Sequence, residues 1–180
     1  MRIKDGLVLA GLLLSLPLAA GPIIPLSIEN LTDQAQLVAR GSVLSKTCLR
    51  DEAGRICTRL DFEVKEVWKG NLSTNRLTLV HSGGILGQEG LKAYGQVDYR
   101  VGEEAVVFLI LNQRGEGVSI GMCQGKFELW KDPDTGRTRV ANPFHGRPAT
   151  PAAGQTKKAA VGGDELTVEM LKQKVQGARQ

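Results

Sequence analysis

The chain has 180 residues, with 23 Lys and Arg against 19 Asp and Glu and a formal net charge of +4 with both His neutral. A hydrophobic fraction of 42% is enough to build a core and excludes wholesale disorder, and the length suits one domain with appendages. Three Cys argue against a disulfide-dense scaffold, and two His without clustered Cys argue against a structural zinc site.

Residues 1–20 begin with Arg2 and Lys4, run through the apolar stretch Leu7 to Leu18 and leave by Ala19-Ala20-Gly21. A basic head, a short apolar run and a small-residue exit form the tripartite pattern of a signal peptide, with cleavage expected after Ala20 or Gly21. The run is too short and interrupted for a span of about 20 residues, so no stable membrane span is expected after cleavage. No Cys follows it to carry a lipid anchor. Loss of Arg2, Lys4 and Asp5 removes a net +1 from the +4 and leaves a near-neutral +3. No basic stripe with interleaved aromatics occurs, Lys157-Lys158 being an isolated pair, which argues against a nucleic-acid partner. The expected destination is secreted or periplasmic, an oxidising setting.

Beyond the signal, Ser27 is placed to cap a short helix carrying Ile28, Leu31 and Ala35. Leu37 to Ser45 reads as a strand, with Gly41 marking a bulge or a close approach. Residues 56–68 alternate, Ile56, Leu60, Phe62 and Val64 against Arg59, Asp61, Glu63 and Lys65, as a half-buried antiparallel strand does. A bulge near Lys65-Glu66 would reset the faces. Cys48 and Cys57 flank the polar turn between these strands, and a hairpin there predicts a Cys48–Cys57 disulfide. Cys123 is then left over, among apolar neighbours.

Arg76 to Ser82 alternates again. Residues 82–104 read as a long loop holding Gly83, Gly84, Gly87, Gly90, Gly95 and Gly102. Ala105 to Leu111 is continuously apolar and reads as the most buried strand. Val118 to Trp130 forms one bent strand or two short ones around Gln124-Gly125, and Thr138 to Val140 is a possible edge after the turn Pro133 to Gly136. Residues 141–164, rich in Pro, Gly and Ala, read as a flexible linker. Thr167 then caps a helix over 165–178, whose stripe of Val168, Met170, Leu171 and Val175 is too thin to promise firm docking. About five strands without a βαβ rhythm predict a mainly β domain over 27–140: a small antiparallel five-stranded Greek-key barrel with short N- and C-terminal helices.

Chemistry-bearing residues are few. His81 sits at a strand end, where a ligand or base could stand, and Glu103 or Glu104 would be its partner in a small hydrolase. The usual state of such a residue is a solvated strand-terminal His, and His145 in the linker reads the same way. Gly83, Gly84 and Gly87 lack the Lys-Ser/Thr and helix start of a phosphate loop. With Tyr94 they instead make a candidate binding loop on a rigid scaffold. Glu103-Glu104 lacks the Asp-x-Asp companions of a calcium loop. Asn30-Leu31-Thr32 and Asn71-Leu72-Ser73 match glycan acceptor sequons. No catalytic residue, cofactor or metal site is assigned.

Four runs carry a resemblance. Ala35 to Val43 resembles the "A-D-x-V-x-x-G-x-V" opening of bacterial secreted domains related in fold to tissue inhibitors of metalloproteinases and netrin modules. Phe62 to Gly70, with Lys69 and Gly70, resembles their "V-x-x-V-x-K-G" strand. Gly102-Glu103 to Leu109 resembles "G-E-x-x-x-x-F-L", and Gln124-Gly125-Lys126-Phe127 resembles "Q-G-K-F". The resemblance spans roughly 35–130 and implies an OB-like β-barrel. The animal inhibitors chelate protease zinc through an N-terminal Cys, whereas here no Cys precedes Cys48. An inhibitor of this kind would have to act through loop contacts. The leading expectation is an exported, non-catalytic module that binds a protein or small ligand of the envelope through its barrel loops.

Overall fold

The computed structural model describes residues 23–146 and 165–178, so the signal segment and most of the expected linker lie outside the described residues. Ser27 Oγ accepts the Asn30 amide at 3.0 Å and starts helix α1, Ile28–Gln34. Two 14-residue strands follow, β1 (Leu37–Arg50) and β2 (Ile56–Lys69), paired as a long hairpin. Asp51 closes its turn by accepting the Ala53 and Arg55 amides at 3.0 and 2.8 Å. Strands β3 (Arg76–Ser82), β4 (Gly84–Leu86), β5 (Glu89–Leu91), β6 (Glu104–Leu111), β7 (Gly117–Ser119), β8 (Lys126–Lys131) and β9 (Thr138–Ala141) complete the β structure. Helix α2, Val168–Gly177, closes the chain.

The main sheet runs β1-β2-β3-β7-β6-β8-β9, and β1 also pairs with β6, so β1 is hydrogen-bonded along both edges. Every pairing is antiparallel except β3–β7, which meet in parallel at Leu79 and Gly117. The sheet therefore has seven strands, not the expected five. The addition comes from the run Val118 to Trp130, which is two strands on one edge of β6: β7 pairs at Leu109–Leu111 and β8 at Ala105–Val107. A 3-10 turn, Met122–Gly125, lets the chain step from one to the other. β9 then extends the sheet beyond β8.

Alternation explains how one sheet serves two cores. Leu60, Phe62, Leu77, Leu79, Val107 and Leu109 pack within the inner face. Val38, Trp68, Val106, Phe108 and Phe127 point the other way, under α1 and α2. β6 is covered on both faces, which is why its sequence is continuously apolar. Register shifts leave Leu44, Lys65 and Trp68 without a partner, so the expected bulge at Lys65-Glu66 is present and a second one turns Trp68 onto the helix side. Gly41 lies at one shift, and a Cβ there would run into the Glu63 carbonyl.

The thin stripe of α2 docks after all: Val168, Leu171 and Val175 are buried beside Ile28 and Leu31, while Met170 stays exposed. Lys172 reaches Glu66 at 2.7 Å and Lys174 reaches Glu29 at 3.4 Å, so ion pairs add to the small apolar contact. The stretch 141–146, assigned from its sequence to the linker, packs as well. Asn142 is buried, and its Nδ2 donates to the Gln124 carbonyl at 2.7 Å.

Candidate functional site

Cross-strand register puts Cys48 opposite Thr58 and Thr58 opposite His81. The three side chains form a row over β1, β2 and β3, continuing the inner face of Leu60 and Leu79 toward one end of the sheet. Gly83 and the β4–β5 hairpin fold back over that end. The Gly83 amide donates to Ile56 O at 3.0 Å, and Thr58 Oγ1 donates to Gly83 O at 2.7 Å. Gly83 and Gly84 have φ of +84° and +141°, backbone that glycine accepts without strain. A Cβ on Gly84 would stand 2.5 Å from Thr58 Oγ1 and 2.6 Å from Cys48 Sγ, so only glycine lets the hairpin lie this close.

Between sheet and hairpin lies a cavity of about 810 Å³, floored by Lys46, Cys48, Thr58 and His81 and roofed by residues 83–85, 90–93 and 96–98. That volume is within the range of small-ligand sites. Of the expected binding loop, Gly83 and Gly84 line the cavity. Gly87 is at the hairpin tip with open space around it, and Tyr94 is 89% exposed. Ile85 and Leu91 are exposed beside them, so the rim is apolar. The sequence reading missed the hairpin itself, since three-residue strands set among glycines leave no visible alternation. It also missed Lys46, Cys48 and Thr58 as lining residues. Extending the alternation of β2 back to Thr58, and from there across the hairpin register, would have found them.

His81 is buried rather than solvated. Its Nδ1 lies 3.0 Å from the Ser82 carbonyl, which only accepts, so Nδ1 carries the proton and Nε2 holds a lone pair. Burial holds the imidazole below its ordinary pKa, outweighing the opposing pull of that carbonyl. The ring stacks on Tyr99 at 6.2 Å, and Tyr99 OH shares a hydrogen bond with Ser119 Oγ at 2.9 Å. Burial pushes the Tyr99 phenol far up, so it stays neutral. Lys46 pairs with Asp98 at 2.8 Å and donates to Tyr99 O at 3.0 Å. That pairing holds the Asp98 carboxyl below its ordinary range.

The residues carrying the resemblance fall mostly into supporting roles. Lys126 is 4% exposed beneath Tyr99, with Nζ 4.7 Å from the ring centre, 2.6 Å from Glu103 Oε1 and 2.5 Å from Asp98 O. The Glu103 contact is a charge contact, poorly aligned for a hydrogen bond. Gln124 grips the chain entering α1, accepting from Leu26 N at 2.7 Å and donating to Ile24 O at 3.2 Å. Gly125 passes so close to β6 that a Cβ would meet Ile120 O at 2.6 Å and Phe108 O at 2.9 Å. Phe127 is buried against Phe108, and Lys69 Nζ reaches Thr32 O, near the end of α1, at 2.6 Å. Gly70 and Gly102 both turn the chain with φ of +84°.

Other expectations are redirected. The Cys48–Cys57 disulfide is not formed, and all three Cys are free thiols. Cys57 sits opposite Leu49 while Cys48 sits opposite Thr58, so their side chains leave opposite faces of the hairpin. Cys57 faces a second cavity of about 460 Å³, beside Arg59 and Glu116, which form an ion pair. Burial pushes the Cys57 thiol up. Glu104 is held by Arg40 at 2.7 Å and Lys65 at 3.5 Å, and Glu103 by Lys126 at 2.6 Å and Arg100 at 3.4 Å, so neither forms a dyad with His81. His145 is not free: its Nε2 is 2.7 Å from Leu26 O and its ring stacks on Phe127. Among the described residues no group of three or more His, Cys, Asp or Glu is placed to hold a metal, and no helix is long and apolar enough to cross a membrane. Of the two glycan sequons, Thr32 of the first is buried with its hydroxyl bonded to Ile28 O, while Asn71 is exposed in a loop.

No family model and no curated protein matches this chain.

Proposed function

We propose that the protein is an exported, non-catalytic binding module with an OB-like β-barrel that engages a protein partner of the secreted or envelope space through residues 83–99. The observation that carries this reading is the exposed apolar pair Ile85 and Leu91, 78% and 46% exposed at the mouth of the cavity, with Tyr94, 89% exposed, three residues beyond Leu91 in the chain. Strand β1, hydrogen-bonded on both edges, and the parallel contact of β3 with β7 favour the barrel description. The resemblance over 35–130 and the tripartite segment 1–20 support export and the same architecture. The test is capture from the native secreted and envelope fraction, using immobilised residues 21–180 beside the rim variant Ile85→Asp/Tyr94→Ala. The reading requires a partner retained by the first and lost by the second. A protease as that partner would make the module an inhibitor working through loops. A partner held equally by both would remove the rim from the interface.

A further inference from the structure

His81 Nε2 has no hydrogen-bond partner among the described residues and no solvent contact. The residue is 9% exposed and lines the floor of the 810 Å³ cavity. Buried polar atoms are nearly always paired, so an orphan acceptor on a cavity-lining residue, itself sealed from the cavity in this state, marks where a donor belongs. The Ser82 carbonyl takes the Nδ1 proton, so in the neutral ring the vacant Nε2 accepts and does not donate. The same surface offers a second acceptor: Thr58 Oγ1 spends its proton on Gly83 O and keeps its lone pairs. Around these polar atoms the lining is apolar, from Cys48, Ile85, Leu91, Ala93 and Val97.

Charge narrows the ligand further. Lys46 and Lys92 line the cavity against the single carboxylate Asp98, and that carboxylate is already committed to Lys46. An ammonium group would enter a positive site without a free counter-charge. A carboxylate would find the exposed Lys92 at the edge, but at the floor it would lose its water against lone pairs on Nε2 and Oγ1. An uncharged hydroxyl meets neither obstacle.

We propose that the cavity binds an uncharged amphiphile, an apolar chain or ring bearing one hydroxyl, which donates its proton to His81 Nε2. The rim residues Ile85 and Leu91 also line the cavity, but the hydroxyl site is at its floor, at His81 and Thr58, so this does not rest on the rim binding a protein. Because Nε2 is shielded from water, entry requires the β4–β5 hairpin to lift, and that hairpin is attached to β1 through the exposed pair Arg50–Glu89.

The probe is 1-decanol, titrated calorimetrically into the purified chain beside its methyl ether, decanoate and decylamine. The alcohol is expected to bind about five- to tenfold more tightly than the ether, the difference made by one neutral hydrogen bond. In His81→Phe that preference is expected to vanish while ether binding persists. The imidazole nitrogen resonance of Nε2 in the unaltered protein is expected to shift with the alcohol and not with the ether. The comparison of alcohol with ether needs no variant, so a misfolded His81→Phe leaves the proposal testable. Equal binding of alcohol and ether, tighter binding of decanoate or decylamine, or no binding of the alcohol overturns it. Tyr94→Ala separates the two readings, since Tyr94 is exposed and does not line the cavity: it is expected to weaken the protein partner and leave the preference for alcohol over ether unchanged.

Discussion

Replacing Lys126 by Met would remove the cation and keep the aliphatic length. Its ammonium is 4% exposed and compensates Glu103, whose side chain is 10% exposed, at 2.6 Å. It also satisfies the Asp98 carbonyl at 2.5 Å and lies over the Tyr99 ring at 4.7 Å. The variant leaves the Glu103 carboxylate with only the longer contact to the exposed Arg100 at 3.4 Å, which costs about 3 kcal/mol, the lower end for a broken buried pair. For a chain of this size that corresponds to a fall in Tm of roughly 6–12 °C. Replacing both members, Lys126→Met with Glu103→Leu, removes the stranded charge and should recover at least half of the loss. Urea unfolding of the four proteins of this cycle gives the coupling directly. A Lys126→Met cost below about 1 kcal/mol, or a double variant that merely adds the two single losses, would refute the assignment of these residues to a buried structural pair.

Gly125→Ala places a methyl group 2.6–2.9 Å from backbone atoms of Ile120 and Phe108, none of which is a flexible side-chain end. Thermal unfolding should register a loss of about 2–3 kcal/mol, and no loss would mean that the strand does not pass β6 this closely. Lys172 is the first cause of the lowered Glu66 pKa, with the Trp68 indole and Arg40 adding to it. Because the folded pKa is depressed, the stabilisation is complete above the unfolded value of about 4.3 and is lost as pH falls through the folded one. Lys172→Met should therefore lower stability at pH 6 and flatten its decline below about pH 4.5; an unchanged acid limb would exclude the pair as a contributor. Thiol titration of the denatured, unreduced protein should count three free thiols, and native alkylation should modify Cys57 more slowly than Cys48 or Cys123. Recovery of a Cys48–Cys57 peptide would contradict the register of the β1–β2 hairpin.

Strong patterns carried the sequence reading where one physical cause acted alone. The alternation in 56–69 and 76–82 follows from one buried and one exposed face, and both strands were legible almost to the residue. The apolar run of β6 was equally plain because both its faces are covered. The Cys48–Cys57 expectation failed because sequence proximity says nothing about phase, and a shift of one position in a hairpin puts the two side chains on opposite faces. The docking of α2 was underread because the acceptors of Lys172 and Lys174, Glu66 and Glu29, are distant in sequence. The cavity was half legible: glycines marked the loop, but the floor row of Cys48, Thr58 and His81 exists only through the pairing of three strands. Gln124-Gly125-Lys126-Phe127 stood out for a structural reason, because each residue meets a separate constraint at one crowded crossing.

Amide hydrogen exchange tests the central claim, that residues 83–99 form the binding face, most directly. The chain is labelled alone and with the partner retained by the rim, and exchange is followed by mass spectrometry along 23–178. The account predicts added protection concentrated in 83–99, with the β2 and β6 amides unchanged. Protection confined to the opposite cavity, around Arg55, Cys57 and Glu116, or no change in 83–99, would contradict it.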